Sequence, residues 1–200
     1  MTLKNILIFG FFTSLVLSCT TDKLKVDSSQ IKVSTTFINL DSIITHSSPN
    51  QLIKFHHNFQ KIIKEIYAYQ LGYCLRIGEV VDTAFVNSVK QFNSDKGIIE
   101  IEKSIQTKLN NLQVYKTSIL KGLKHLKYHF PEGKIPENIV FMNSLFNSNA
   151  FSTDKEIGIG LERYLGYENE MIQKLPSEPF YDWIKKAMDE TYLERDAICS

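Results

Sequence analysis

Two histidines four apart, in the run His125-Leu126-Lys127-Tyr128-His129, have the spacing that puts two imidazoles on one helix face, as in zinc peptidases. The water-activating glutamate of that chemistry would follow the first histidine, and Leu126 occupies its place. The pair therefore reads as basic side chains at a helix C-terminus, where the helix dipole favours them. His56 and His57 are adjacent and point to different helix faces, so no shared metal is expected, and His56 reads as a partly exposed side chain.

Glu156 and Glu162 flank the alternating run Ile157-Gly158-Ile159-Gly160-Leu161. Paired carboxylates can do acid–base work, but as charges at the ends of a strand these two read as solvent-facing. Such a strand has Ile157, Ile159 and Leu161 on one face and bare glycine on the other, where a backbone, a helix or a ligand can approach closely. Gly158, Gly160, Glu162 and Tyr164 are accordingly the candidate ligand or packing surface. The glycines do not open a dinucleotide fingerprint, because Arg163 stands where the third glycine belongs. Neither a phosphate-binding loop nor a glycine-flanked serine elbow occurs, so no catalytic residue, metal or cofactor is expected.

The cysteines are Cys19, Cys74 and Cys199, too few for a disulfide scaffold and with no pair at zinc-ligand spacing. Cys19 closes a distinctive N-terminus. Lys4 precedes an apolar run of 12 residues, Ile6 to Leu17. As a helix that run is about 18 Å long, too short for a hydrocarbon core of roughly 30 Å, and it reads as a secretory signal peptide. It ends Val16-Leu17-Ser18-Cys19, which resembles the lipobox of bacterial lipoproteins, in which a diacylglyceryl group joins the cysteine sulfur before cleavage in front of it. Residues 1–18 would be the signal peptide and Cys19 the lipidated mature N-terminus. Cleavage removes Lys4 and no acid, so the mature chain is formally neutral and membrane attachment falls to acyl chains, at about 0.8 kcal/mol per buried methylene.

These residues need elements to position them. Of 200 residues 43% are apolar and 22% charged, with a net charge of +1, which excludes a disordered chain and gives no electrostatic case for nucleic acid. Residues 19–49 read as a tether with an edge strand within Ile31 to Leu40. Residues 50–200 read as a single α+β domain: a helical half, a small sheet over 138–162, and terminal helices. Leu52, Phe55, Phe59, Ile62, Ile66 and Tyr69 share one face of a helix over 50–70. A second helix runs from Asp82, its N-cap, to Phe92; two more carry Ile98 to Leu112 and Ile119 to Phe130, separated near Asn110-Asn111. Ile139 to Met142 and Phe146 to Thr153 read as a hairpin, and helices return over Phe180 to Met188 and Tyr192 to Ile198.

The stretches Leu123 to Pro131 (LKHLKYHFP), Ile139 to Met142, Phe146-Asn147 and above all Ile157 to Gly166 (IGIGLERYLG) resemble the gliding motility lipoprotein GldB family of the Bacteroidetes. The likeness continues through Pro179-Phe180-Tyr181 to Met188 and Tyr192 to Asp196, and is diffuse before Phe130. Members usually carry Asp where this chain has Glu162. They run about half as long again, so the resemblance implies a domain truncated at Ser200 with part of its core in the following helices, and therefore poor stability. The family is in turn distantly similar to zinc peptidases, which adds a zincin-like fold to the expectations, with its metal-binding helix beyond Ser200.

The resemblance implies an envelope lipoprotein required for gliding motility, acting as a non-catalytic structural or accessory component. Its expected place is the periplasmic side of the outer membrane, held by acyl chains such as palmitate on Cys19, with other gliding or secretion proteins as partners and no nucleic acid. The alternatives are a truncated relic of a zinc-peptidase-like enzyme and a lipid-tethered ligand-binding protein that uses the glycine strand.

Overall fold

The apolar run Ile139-Val140-Phe141-Met142 forms most of strand β2 (Asn138–Met142) and is buried on both sides, which is why it reads as continuous and not as alternating. This is seen in a computed structural model, which describes residues 26–77 and 82–200. Among the described residues, β1 (Thr36–Asn39), β2, β3 (Ala150–Ser152) and β4 (Glu156–Gly160) make one sheet in the order β1-β2-β4-β3. The pairs β1·β2 and β2·β4 are parallel, and β3·β4 is antiparallel. The domain reaches back past residue 50, since β1 belongs to the compact unit Ile31–Ser200.

Helices cover both faces, giving an α+β fold. Val140 and Met142 enter one apolar layer with Leu52, Phe59, Ile66 and Phe85 from α2 (Pro49–Ile62), α3 (Lys64–Tyr69) and α4 (Asp82–Ser94). Ile139 and Phe141 enter the other, with Ile105, Ile119, Leu123 and Ala197 from α5 (Lys96–Lys108), α6 (Leu112–His129) and α9 (Leu193–Cys199). Each fully buried Ile, Leu or Phe contributes about 1.5–3 kcal/mol, so the two layers carry most of the stabilisation. Short helices α1 (Leu40–His46), α7 (Glu170–Gln173) and α8 (Asp182–Lys186) complete the described α-helices, beside a π-helical turn at Gln70–Cys74 and 3₁₀ turns at Leu161–Tyr164 and Glu190–Tyr192.

Local signals explain most helix ends. The Asn39 side chain accepts from Ser42 N at 3.1 Å and starts α1 directly after β1. Asp95 accepts from the N–H groups of Gly97 and Ile98 to start α5, and Asn111 does the same for Gln113 in α6. That cap is why the expected break falls at Asn110-Asn111. The cap expected of the Asp82 side chain lies outside what the structure describes, as does Cys19.

Three expectations are corrected. The helix over 50–70 breaks at Ile63, whose φ of −134° and ψ of 47° are not helical. The break shifts the apolar phase by one position, so that Ile62, expected in the core, is 44% exposed while Ile63 is fully buried. The expected hairpin of 139–142 with 146–153 does not form, because β4 lies between β2 and β3. The hairpin is β3–β4, and the stretch after β2 is a loop with left-handed backbone at Leu145 (φ 51°) and Phe146 (φ 64°), where no strand can form.

Candidate functional site

Because β1, β2 and β4 run parallel, their carboxyl ends share one edge of the sheet, the edge at which open α/β sheets bind ligands. Here β1 delivers Asn39 and Asp41, β2 delivers Asn143 and Ser144, and β4 delivers Glu162 in the 3₁₀ turn Leu161–Tyr164.

Glu162 has no exposed surface. Its carboxylate accepts from the N–H of Ser144 at 3.0 Å and of Phe146 at 2.8 Å, and makes a short contact with the Ser144 hydroxyl. The left-handed residues Leu145 and Phe146 bend the loop so that both N–H groups face the same carboxylate. Each such residue costs roughly 1–2 kcal/mol, and hydrogen bonds to a charged group at about 1.5–3 kcal/mol each offset it. Burial holds the Glu162 carboxyl above the ordinary glutamate range, with the bonds from Ser144 and Phe146 working against it. The expectation that Glu156 and Glu162 face solvent is therefore corrected for both. Glu156 is 6% exposed and accepts from Ile66 N at 3.1 Å, and burial raises its carboxyl as well, against that bond. The inner position of β4 in a sheet covered on both faces buries the two acids, and backbone donors replace the water they lose.

The glycine face of β4 is filled by the protein itself. A Cβ on Gly158 would lie 2.6 Å from the Phe151 ring, and one on Gly160 would lie 2.2 Å from the carbonyl oxygen of Ser148. Phe151 packs on Tyr69 at 4.7 Å between ring centroids, and the Tyr69 hydroxyl meets Ser148 Oγ at 2.9 Å. Tyr164 is fully buried in the opposite layer and donates its hydroxyl to Asp196 at 3.2 Å, tying the 3₁₀ turn to α9. Burial and then the Asp196 charge raise its phenol.

A second acidic feature was absent from the sequence reading. Asp41 and Glu102, on α1 and α5, are both more than nine-tenths buried and lie within hydrogen-bonding reach of one another. Gln106 Nε2 donates to Glu102 Oε1 at 2.7 Å, while among the described residues Glu102 Oε2 receives no N–H. Burial, the facing Glu102 and the nearby Glu162 hold the Asp41 carboxyl well above its ordinary value. Asp41 therefore keeps its proton to higher pH than an ordinary aspartate. Helical spacing carried a signal for Glu102, which stands four after Ile98 and three before Ile105, on the buried stripe of α5.

The histidines are dispersed. His125 and His129 lie at the C-terminal end of α6, half-buried and exposed respectively. His56, expected to be partly exposed, is 2% exposed: it stacks on Phe85 at 4.3 Å and its Nδ1 meets the Tyr67 hydroxyl at 2.9 Å. Its place four after Leu52 and three before Phe59 puts it on the core face of α2. Cys74 is buried, with its thiol pushed up to about 12 by burial, and Cys199 is exposed; neither is in a disulfide. Among the described residues no group of three or more His, Cys, Asp or Glu could hold a metal, and no helix is long and apolar enough to cross a membrane.

These features define an α+β domain whose parallel-strand edge is closed by a loop-wrapped acid and flanked by a buried acid pair. The family model of gliding motility protein GldB matches residues 21–200, and the chain belongs to that family of gliding-motility lipoproteins. No curated protein and no solved structure matches it.

Proposed function

We propose that the protein is a lipid-anchored envelope component of the gliding apparatus, acting as a structural or accessory part and not as an enzyme. The observation that carries this reading is the junction at Cys19: an apolar signal run ends in a lipobox-like Leu17-Ser18-Cys19, and the gliding family match begins two residues later. Acyl chains on Cys19 hold the protein to the periplasmic side of the outer membrane, beside other gliding or secretion proteins. The non-catalytic role is supported by the chemistry at the sheet edge. Glu162 is occupied by backbone donors, and the histidine pair of α6 lacks the glutamate that would activate water.

The test is a pair of variants in a gliding cell. Cys19→Ala is expected to abolish incorporation of labelled palmitate, leave uncleaved precursor and stop gliding. His125→Ala with His129→Ala is expected to leave gliding intact. Equal labelling of the cysteine variant defeats the anchor. Loss of gliding in a folded, lipidated histidine variant, with stoichiometric zinc in the purified wild type, replaces the structural role with a peptidase.

A further inference from the structure

Of the 18 residues of α6, only Ile119 and Leu123 are buried. Val114, Thr117, Lys121, Lys124 and Tyr128 recur at steps of three and four, which sets them on the side of the helix turned away from that pair. Val114 is 55% exposed and Tyr128 46%, and Phe130, which closes the helix, is 62% exposed.

The charge of this stretch is one-sided. Residues 110–136 carry Lys116, Lys121, Lys124, Lys127 and Lys134 against one acid, Glu132, in a chain whose net charge is +1. Lys127 Nζ donates to the Gly133 carbonyl at 3.1 Å, and among the described residues Lys116, Lys121 and Lys124 make no ion pair. The acids that α6 does face, Asp189, Glu190 and Glu194, stand by Tyr115 on the flank that packs against α9, where Gly122 meets Ile198. Glu190 is taken there by Lys108 at 2.7 Å. The outer side is left with lysines and exposed apolar and aromatic groups between them, the make-up of a helix that lies on an anionic membrane.

The anchor arrives at the same end. Thr35 Oγ1 donates to the Pro136 carbonyl at 2.8 Å and Thr36 N to that of Glu137 at 2.9 Å, so the chain leading from Cys19 joins the domain beside the turn in which α6 ends. From Cys19 to Ile31 that chain extends by at most about 40 Å, at roughly 3.3–3.6 Å per residue, which keeps the domain beside the bilayer that holds the acyl chains.

We infer that the outer side of α6 rests on the anionic surface of that bilayer, with the lysines at lipid phosphates and Tyr128 and Phe130 among the headgroups, and so orients the anchored domain. The inference rests on the acyl anchor at Cys19: the acyl chains attach the protein, and α6 decides which side of it faces the lipid.

The experiment places the full lipidated chain on vesicles of phosphatidylcholine, and on vesicles of phosphatidylcholine with phosphatidylglycerol. An amine-acylating reagent then reads the reactivity of each lysine by mass spectrometry. Lys116, Lys121, Lys124 and Lys127 are expected to react about fivefold or more slowly on the anionic vesicles, the factor that one lysine near such a surface makes, and to recover in high salt. Lys54 and Lys90, on the helices across the sheet, are expected to react alike on both. Lys121→Gln with Lys124→Gln is expected to return Lys116 and Lys127 to their neutral-vesicle rates, while Lys121→Arg with Lys124→Arg keeps them protected. Protein that floats with both vesicles and is labelled alike on them overturns the inference and leaves the anchor standing. Protein that does not float with phosphatidylcholine defeats the anchor and the inference with it. Protection that vanishes when the protein is diluted on the same anionic vesicles overturns the inference in favour of contact between copies.

Discussion

Glu162 and the Asp41–Glu102 pair are acids of similar burial near the same sheet edge, and the protein treats them in opposite ways. Around Glu162 the backbone is bent into a left-handed loop that supplies two N–H donors, and a serine hydroxyl adds a third contact. Around Asp41 and Glu102 the only amide donor among the described residues is that of Gln106, and Glu102 Oε2 is left without an N–H. The contrast separates a charge built into the fold from one held in reserve. The first should be destabilising to remove, and the second should be neutral or favourable to neutralise.

The largest effect is expected at the first. Glu162→Ala strands the N–H groups of Ser144 and Phe146 in a buried site and leaves Leu145 and Phe146 strained with nothing to offset them. At about 1–3 kcal/mol for each orphaned donor, a loss of about 3 kcal/mol or more is expected in chemical denaturation. A loss below about 1 kcal/mol would show that the loop holds its shape without the acid, and the contrast would collapse.

The glycine strand sharpens the same point, since Gly160 abuts the loop that wraps Glu162. Gly160→Ala drives a Cβ into the Ser148 backbone carbonyl, while Gly158→Ala meets the outer atoms of the Phe151 ring and the Ile66 Cδ1, side-chain ends that can turn aside. Costs of roughly 2–3 and roughly 1 kcal/mol are expected, in that order, from denaturant midpoints. The reverse order would place the rigid element at β3 and not at the loop.

Much of this layout was legible in the sequence where the signal is local. The apolar run 139–142 announces a strand, though not its inner position, and Asn111 after Asn110 announces a helix boundary. The wrapped state of Glu162 was not legible, because it depends on Leu145 and Phe146 adopting a backbone that ordinary residues avoid, held through the N–H groups of Ser144 and Phe146 by an acid 18 and 16 positions from them. The order β1-β2-β4-β3 was hidden for a similar reason: nothing local tells β2 to pair with β4 instead of its nearer neighbour β3. Glu102 and His56 were partly legible, since both stand on apolar stripes at helical spacing. What the stripe could not reveal was the partner, because Asp41 meets Glu102 only through packing of α1 near α5.

The acid pair also has a signature in pH. Raising a carboxyl above its ordinary value means that the folded protein binds a proton the unfolded chain releases, so stability falls as pH climbs from about 3.8 through the folded value. Asp41→Asn cannot release that proton. The wild type is expected to lose stability relative to the variant as pH is raised from 4 to 7, with the two closest at the acidic end, in parallel denaturation series. Parallel curves would mean that Asp41 titrates as an ordinary surface acid.

The smallest effect, and the one of opposite sign, is expected for Glu102→Gln. The amide oxygen can keep the bond from Gln106 that Oε1 now accepts, and the amide nitrogen falls where Oε2 lies without a donor. That nitrogen can donate to Asp41, and the charge of Glu102 that helps to raise the Asp41 carboxyl is removed, while burial still raises it. One orphaned acceptor disappears and one like-charge contact goes with it, while the shape of the side chain is unchanged. A gain of up to about 1 kcal/mol is expected at pH 7, together with a flatter pH profile than the wild type. The same swap at Glu162 is expected to cost stability, because there an amide nitrogen would be turned against Ser144 N–H or Phe146 N–H, donor against donor. If both glutamine variants lose stability to the same extent, Glu102 is as fully integrated in the scaffold as Glu162, and the contrast between the two acids fails.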